Sequence, residues 1–160
     1  MSADTSAGKS GGLTLRLATV DDAHAIADLY TAARIAAVPQ MPAALHTNAE
    51  DRAWYAERLA GTEHTVWAAD DGRGVVGFAL CTPTWLDGLY VSPDRLGEGI
   101  GTALLEVVKA THPDGFGLWV FESNQGARRL YARHGFVEVE RTDGSGNEEK
   151  QPDLHLHWAP

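Results

Sequence analysis

Three glycines at alternate positions, Gly97, Gly99 and Gly101, form a segment whose chemistry suits phosphate binding. They follow an apolar, strand-like run at residues 85–91 and open a helical pattern at residues 99–109. A glycine turn lets the backbone approach a ligand closely, and the free N–H groups and dipole of a helix start favour a bound anion. We therefore predict a pyrophosphate-binding turn here; a tight turn with a purely structural role is the alternative.

A second group of residues lies about twenty positions downstream, on one face of a predicted helix. Asn124, Ala127 and Tyr131 are spaced i, i+3 and i+7, and Gly135 is placed to end the helix. A tyrosine phenol, whose pKa is about 10, stays protonated at neutral pH and can donate a proton to a leaving thiolate. Tyr131 is therefore a candidate general acid, with packing against a sheet as its alternative role.

The two motifs at this spacing resemble the GNAT family of acetyltransferases, and the resemblance extends over roughly residues 13–158. It implies an enzyme that moves an acetyl group from acetyl-CoA, its cosubstrate, to a primary amine. In the implied site, residues 89–91 bind the pantetheine arm, residues 96–102 bind the pyrophosphate, Asn124 hydrogen-bonds the cofactor, and Tyr131 lies near the thioester sulfur. The implied cofactor-binding residues are Leu89, Tyr90, Val91, Leu96, Gly97, Glu98, Gly99, Ile100, Gly101, Thr102, Asn124, Ala127 and Tyr131.

Side chains that could contact phosphate depart from the family pattern at one position. The family often has Arg or Gln where this chain has Leu96, and Arg95 is displaced by one residue. We expect the missing side chain to weaken one cofactor contact, although the main-chain cradle does not depend on that side chain. Arg128, Arg129 and Arg133 share the helix of Asn124, where one of them could meet a phosphate or all could form a solvated face.

The general base is less clearly indicated than the acid. Asp87 lies on the strand before the glycine turn, Glu122 at the end of the next strand, and His46 in a proline-rich loop. Each of the three could equally be a solvated surface charge, and a water relay could remove the amine proton without one strong base. Tyr131, Asp87 and Glu122 are the predicted catalytic residues.

The elements that would position these residues follow from hydrophobic periodicity and capping signals. Their order is β α α β β β α β α β β, which is typical of a layered α/β or α+β domain. The resemblance implies a mixed, mostly antiparallel central sheet of about six to seven strands, flanked by about four helices. We predict strands at residues 14–18, 64–69, 75–81, 85–91, 116–121, 136–141 and 154–158, and helices starting near Thr19, Thr47, Gly99 and Asn124.

Length, charge and cysteine content limit the number of domains, the binding partners and the cellular compartment that we expect. The chain has 160 residues, 44% of them hydrophobic, which suits one domain at residues 13–160 after a flexible tail at residues 1–12. A formal charge of −9 disfavours binding to nucleic acid or to an anionic membrane surface. The single cysteine, Cys81, excludes an intramolecular disulfide and suits a reducing compartment, so we expect a cytoplasmic protein without a membrane span.

No metal is predicted. Asp153, His155 and His157 alternate along the last strand, but two histidines without a clear third ligand are more typical of a half-exposed sheet face.

The acceptor is expected to enter between the loop at residues 38–47 and the turn at residues 142–152, as the resemblance implies. Asp143, Glu148 and Glu149 place negative charge near that entrance, which favours a small cationic amine. Two alternatives stay open: a peptide N-terminal or lysine acetyltransferase, and a catalytically silent acyl-CoA-binding sensor. The oligomeric state also stays open, with a homodimer as one alternative.

Overall fold

A computed structural model of the chain describes residues 9–10 and 12–160, which form one sheet and four α-helices. The strands are β1 (Lys9–Ser10), β2 (Leu13–Leu17), β3 (Thr65–Asp70), β4 (Val75–Cys81), β5 (Trp85–Val91), β6 (Phe116–Phe121), β7 (Val137–Thr142) and β8 (Asp153–Trp158). The helices are α1 (Ala23–Ala37), α2 (Asn48–Ala60), α3 (Ile100–Thr111) and α4 (Gln125–Arg133). In the described part of the chain, no helix is long and apolar enough to cross a membrane.

The strands lie in the order β1-β2-β3-β4-β5-β6-β8-β7. All neighbouring pairs are antiparallel except β5 and β6, which are parallel. The mixed, mostly antiparallel sheet with four helices confirms the predicted fold class. The two-residue strand β1 adds to the seven predicted strands; it lies within the predicted tail, whose residues 1–8 and 11 are outside the described residues.

The parallel pair β5 and β6 is joined over a short length. Trp85 pairs with Gly117 and Leu86 with Leu118, and no further pair joins these two strands. Pairing stops after Leu86 and Leu118, so the carboxyl-terminal parts of β5 and β6 face a gap. In open sheets, ligands bind beyond the carboxyl ends of such strands.

Hydrophobic side chains cover both faces of the sheet. Along β4, Phe78 and Leu80 belong to one buried cluster, whereas Ala79 and Cys81 belong to the other. Because successive side chains of a strand point to opposite faces, the two clusters lie on opposite sides of the sheet. Helices α1 and α2 pack in the first cluster, and α3 and α4 pack in the second.

Helix starts show how local signals set these boundaries. The predicted capping box of Thr47 and Glu50 opens α2, with the Glu50 N–H donating to Thr47 Oγ1 at 3.1 Å. The box of Thr19 and Asp22 instead opens a short 3₁₀ turn, and α1 begins after it. Helix α1 also continues past the predicted end near Arg34, because Ala36 and Ala37 favour helix.

Candidate active site

A cleft of about 1720 Å³ opens where β5 and β6 separate. Its walls are residues of both strands, together with the glycine turn, the start of α4, the loop between α1 and α2, and the turn between β7 and β8. The cleft therefore joins every segment that the sequence had suggested for cofactor and acceptor.

The open side of β5 presents backbone polar groups to this cleft. The Ser92 N–H donates to the Val76 carbonyl of β4 at 2.8 Å. Peptide groups alternate in direction along a strand, so the N–H and C=O groups of Leu89 and Val91 point away from β4, toward the gap. These are two of the residues predicted to hold the pantetheine arm, and Tyr90 between them packs its ring toward α1.

The glycine turn after β5 has the geometry of an anion cradle. Gly97 and Gly99 have φ angles of 79° and 83°, a left-handed conformation that suits glycine. Gly99 is the N-cap of α3, and the first helical backbone bond runs from the Ala103 N–H to the Gly99 carbonyl at 3.0 Å. The N–H groups of Ile100, Gly101 and Thr102 therefore precede the hydrogen-bonded part of the helix and are free to donate to a ligand.

The side chains of this turn do not supply a cation to the cradle. Arg95 donates to Asp71 at 2.7 Å and to Glu98 at 2.9 Å, which holds it against the β3–β4 hairpin. Leu96 is 67% exposed. The structure thus places no basic side chain of residues 95–98 at the cradle, and the groups that this turn offers to a phosphate are main-chain N–H groups.

Asn124 is the N-cap of α4 and not part of the helix itself. Its side-chain oxygen accepts a hydrogen bond from the Ala127 N–H at 3.3 Å, while its residue lines the cleft. Because the oxygen serves as the cap, the amide NH₂ is left available as a donor. Arg128 and Arg129 line a separate hollow beside β7 and β8, and the Arg133 side chain is exposed near the end of the helix.

Tyr131 lies on the cleft-facing side of α4 and is 8% exposed. Its ring packs edge-on against Phe136 at 5.3 Å, and its hydroxyl makes no hydrogen bond within the described residues. Burial, with a smaller contribution from nearby Tyr90, raises the pKa of Tyr131 above its ordinary value. The phenol therefore stays protonated at any physiological pH.

Asp87 is the predicted carboxylate base that the structure brings into the cleft wall. Its side chain is 37% exposed, and its carboxylate lies 3.7 Å from His64 Nε2. Burial raises the pKa of Asp87, and the charge interaction with the neighbouring His64 works in the opposite direction. A carboxylate with a raised pKa is a stronger proton acceptor than one free in water.

The other two candidate bases have different surroundings. Glu122 is outside the cleft lining, where its carboxylate lies 3.6 Å from Arg141 and its carbonyl accepts a bond from Arg128. His46 lines the cleft, but its hydrogen bond to Glu148 raises the pKa of the imidazole. A raised pKa favours the protonated ring, which is the form that cannot accept a proton.

The loop at residues 38–47, which we name the strap, crosses the acceptor end of the cleft. The Ser123 hydroxyl donates to the Gln40 carbonyl at 2.5 Å, which ties the strap to the end of β6. At its other end, His46 Nε2 lies 2.7 Å from Glu148 Oε1 in the β7–β8 turn. The strap thus bridges the two sides of the entrance.

A buried arginine, Arg34 of α1, binds the strap from the protein interior. Its side chain is 5% exposed and donates to the Tyr30 hydroxyl at 2.8 Å and to the Pro42 carbonyl at 2.9 Å. Glu149 of the β7–β8 turn lies 3.7 Å away and balances the charge. This residue was missed by sequence reasoning, and the signal was present: an arginine on the apolar side of a helix needs buried partners.

The acceptor end carries more acidic than basic side chains. Seven acidic residues line the cleft: Glu50, Asp51, Glu57, Asp87, Glu148, Glu149 and Asp153. The basic residues in the lining are Arg34 and His46, which Glu149 and Glu148 already engage. Asp143, one of the three acidic residues predicted at the entrance, lies outside the lining and accepts a bond from the Ser145 N–H.

An aromatic cluster borders the same end of the cleft. Trp85 and Trp119 are nearly parallel with ring centres 6.4 Å apart, and the His155 ring lies 4.8 Å from the first and 5.2 Å from the second. A side chain on Gly117 would meet His155 at 2.8 Å, so this glycine makes room for the rings. His155 is thus packed among aromatics, and the described residues contain no group that could hold a metal ion.

Comparison with known proteins agrees with this geometry. The sequence model of the Acetyltransferase (GNAT) family matches residues 23–136. The chain is 34% identical over 83 residues to the peptidyl-lysine N-acetyltransferase YiaC of Escherichia coli K12, covering 51% of this chain and 55% of YiaC. It is 34% identical over 95 residues to the peptidyl-lysine N-acetyltransferase YjaB of Salmonella typhimurium, covering 59% of this chain and 65% of YjaB. The chain thus covers less than two thirds of each curated relative.

Solved structures share the fold over nearly the whole chain. The GCN5-related N-acetyltransferase of Rhodopseudomonas palustris superposes with a TM-score of 0.75 at 24% identity, covering 96% of this chain and 99% of the other. The structure of yncA from Salmonella typhimurium, which was solved with its cofactor acetyl-CoA, gives a TM-score of 0.70 at 20% identity and covers 92% of each chain. Because the family model spans well over half of the chain, the protein belongs to the GNAT family of acetyltransferases.

Proposed function

We propose that this protein is an acetyl-CoA-dependent N-acetyltransferase whose acceptor is the primary amine of a small cationic molecule. One observation carries the proposal: the open edge of β5, the free N–H groups at the start of α3 and the capped start of α4 converge on a single cleft. A thioester cofactor with a pyrophosphate and an amide-containing arm needs these three kinds of contact.

The cofactor lies along the gap in this proposal. Its pyrophosphate accepts hydrogen bonds from the N–H groups at residues 99–102, and the amides of its arm pair with Leu89 and Val91 in place of a missing strand. The Asn124 amide NH₂ donates to the arm from the opposite wall. The acetyl carbonyl then lies near the point where β5 and β6 part, and the backbone N–H groups of β5 stabilise its developing negative charge.

In the chemical step, the amine nitrogen attacks the thioester carbonyl carbon, and the bond between that carbon and sulfur breaks. The departing thiolate takes its proton from the Tyr131 hydroxyl, which is protonated throughout the physiological pH range. The nitrogen, which is positively charged after the attack, loses its extra proton to solvent, and the phenolate regains one from solvent. The products are the acetylated amine and free CoA.

The acceptor must lose a proton before it attacks, because a primary ammonium has a pKa of about 10 and carries no lone pair. Asp87 accepts that proton, directly or through one water, since it is the predicted carboxylate base whose side chain lines the cleft. Glu122 takes no part in this proposal because Arg141 pairs with it outside the cleft.

Two observations favour a small cationic acceptor. The excess of acidic side chains in the lining attracts a cation and repels an anion. The strap, tied to the end of β6 and to the β7–β8 turn, limits access for a folded polypeptide while leaving room for a small molecule. Acetylation of a peptidyl lysine is the second candidate, because the relatives YiaC and YjaB are named for that activity.

An acceptor screen tests the proposal. The full-length protein is incubated with acetyl-CoA and a set of small amines, amino acids and lysine peptides, and CoA release is followed with a thiol reagent. We expect turnover with small diamines or other cationic amines. Preferred turnover of lysine peptides would support the second candidate, whereas acetyl-CoA binding with no acceptor turnover would indicate a sensor. A cytoplasmic location and a homodimeric state stay predictions.

A further inference from the structure

Asp87 occupies an irregular position on β5. Cys81 of β4 pairs with Leu86, whereas the preceding residue, Leu80, pairs with Gly88. Asp87 is therefore the extra residue of a β-bulge and has no partner on β4. Bulges next to active sites redirect a side chain. At this bulge, the Asp87 carboxylate lines the cleft.

His64 stands behind this carboxylate. It lies in the connection between α2 and β3, with its Nε2 atom 3.7 Å from Asp87 Oδ2. The His64 side chain is 19% exposed and does not line the cleft, so it contacts Asp87 from the protein side. Among the described residues, His64 is the basic side chain that lies within ion-pair distance of the Asp87 carboxylate.

The other titratable groups around Asp87 cannot take this role. Cys81 of β4 is a buried thiol whose pKa is raised to about 12 by burial and by Asp87, so it stays neutral. Glu57 of α2 lines the same cleft but is acidic, and the His155 ring of β8 packs beside Trp85 and Trp119. Of the described basic side chains, His64 is the one within ion-pair distance of Asp87.

We propose that His64 is a positioning residue that orients the Asp87 carboxylate toward the acceptor and keeps it ionised by pairing with it. This inference rests on the proposed function, in which Asp87 removes the proton of the acceptor amine. Burial alone drives a carboxyl toward its neutral form, which cannot accept a proton. A protonated imidazole at 3.7 Å counteracts that effect while staying out of the reacting space.

The consequence for pH dependence has a definite sign. Removing the His64 cation raises the pKa of Asp87 further, so at a given pH a smaller fraction of the carboxyl is ionised. The acid limb of the kcat/KM profile then moves to higher pH, by about one unit for the loss of one close opposite charge. Activity falls about tenfold on that limb and returns toward the wild-type value at high pH.

The test uses His64→Gln, His64→Lys and the exposed control His24→Gln, each as the full chain with acetyl-CoA and the best acceptor. We expect the shifted acid limb in His64→Gln, a limb nearer to wild type in His64→Lys because the cation is restored, and no shift in His24→Gln. A uniform loss of rate at all pH values, or an unshifted limb, would overturn the inference and leave His64 with a structural role.

A second measurement separates this inference from the proposed function. The Asp87 carboxyl is titrated by carbon-detected NMR in wild type and in His64→Gln, which needs no turnover. A higher pKa in the variant supports the pairing even if no amine is acetylated, in which case the proposed function alone fails. An equal pKa in both proteins overturns the pairing whatever the activity.

Discussion

The two ends of the cleft are built in different ways. The cofactor end consists largely of backbone: the open edge of β5, the left-handed glycines and the first turn of α3, all within residues 85–102. The acceptor end consists of side chains from distant segments, such as His46 with Glu148, which are 102 residues apart. The cofactor end is thus formed by the local conformation of one segment, whereas the acceptor end is formed by the packing of distant segments.

This difference has a functional meaning. A backbone cradle tolerates many side-chain types, so it could hold one invariant cofactor, and in our proposal it does so without an arginine at position 96. An entrance made of charged side chains on a loop and a turn can change its preference through single substitutions. We therefore expect substitutions at the two ends to affect different kinetic constants.

The largest effect is expected where the two ends meet, at Tyr131. Tyr131→Phe keeps the ring against Phe136 and removes the proton donor, so kcat should fall by about 10²- to 10⁴-fold. Acetyl-CoA affinity should change little, because the hydroxyl acts as thiolate charge develops. Steady-state kinetics and a thermal-shift titration measure the two quantities. Tyr55→Phe, which removes a second buried phenol from the lining of the same cleft, on α2, is the comparison variant, and equal kcat values in both variants would make Tyr131 structural.

The next effect concerns the stability of the acceptor end. Arg34→Ala leaves Glu149 and the Pro42 carbonyl without their buried partner, and we expect the free energy of unfolding to fall by about 3 kcal/mol. Chemical denaturation measures this change. Arg52→Ala is the matched control, because its pair with Asp28 is exposed and is worth at most about 1 kcal/mol. Equal losses of unfolding free energy in the two variants would show that the burial of Arg34 does not determine its contribution to stability.

A smaller effect is expected at the cofactor end. Gly99→Asp places a carboxylate at the helix N-cap, beside the proposed pyrophosphate, and should weaken acetyl-CoA binding about tenfold. Isothermal titration calorimetry measures the affinity. Gly72→Asp is the control for backbone strain, because Gly72 has a similar φ of 89° in a hairpin away from the cleft. Unchanged affinity in Gly99→Asp would place the phosphate elsewhere.

The smallest effect is expected at the entrance. Glu148→Gln removes one negative charge from an exposed position, so KM for a cationic amine should rise about two- to threefold. The change should disappear at high salt and for a neutral acceptor, because exposed charges are screened. Glu140→Gln, exposed on β7 and outside the cleft, is the control. An equal change for neutral and cationic amines would mean that strap geometry, rather than charge, sets KM.

Much of the fold could be predicted from the sequence because its signals are local. The capping box at Thr47, the hairpin between β3 and β4, and the strand, glycine turn and helix at residues 85–111 all depend on neighbouring residues. The 3₁₀ turn before α1 was not predicted, because the same capping pattern can open either kind of helix.

The sequence by itself determined the glycine cradle, the face of α4 that carries Tyr131, and the order of the strands along the chain. The tertiary structure decided which charged residues enter the cleft: Asp87 through its bulge, but not Glu122, which Arg141 pairs outside it. It also decided that His64 stands behind Asp87 and that Arg34 is buried beneath the strap. The physical reason is that backbone conformation follows from nearest neighbours, whereas the partner of a charged side chain depends on which distant segments the folded sheet brings together.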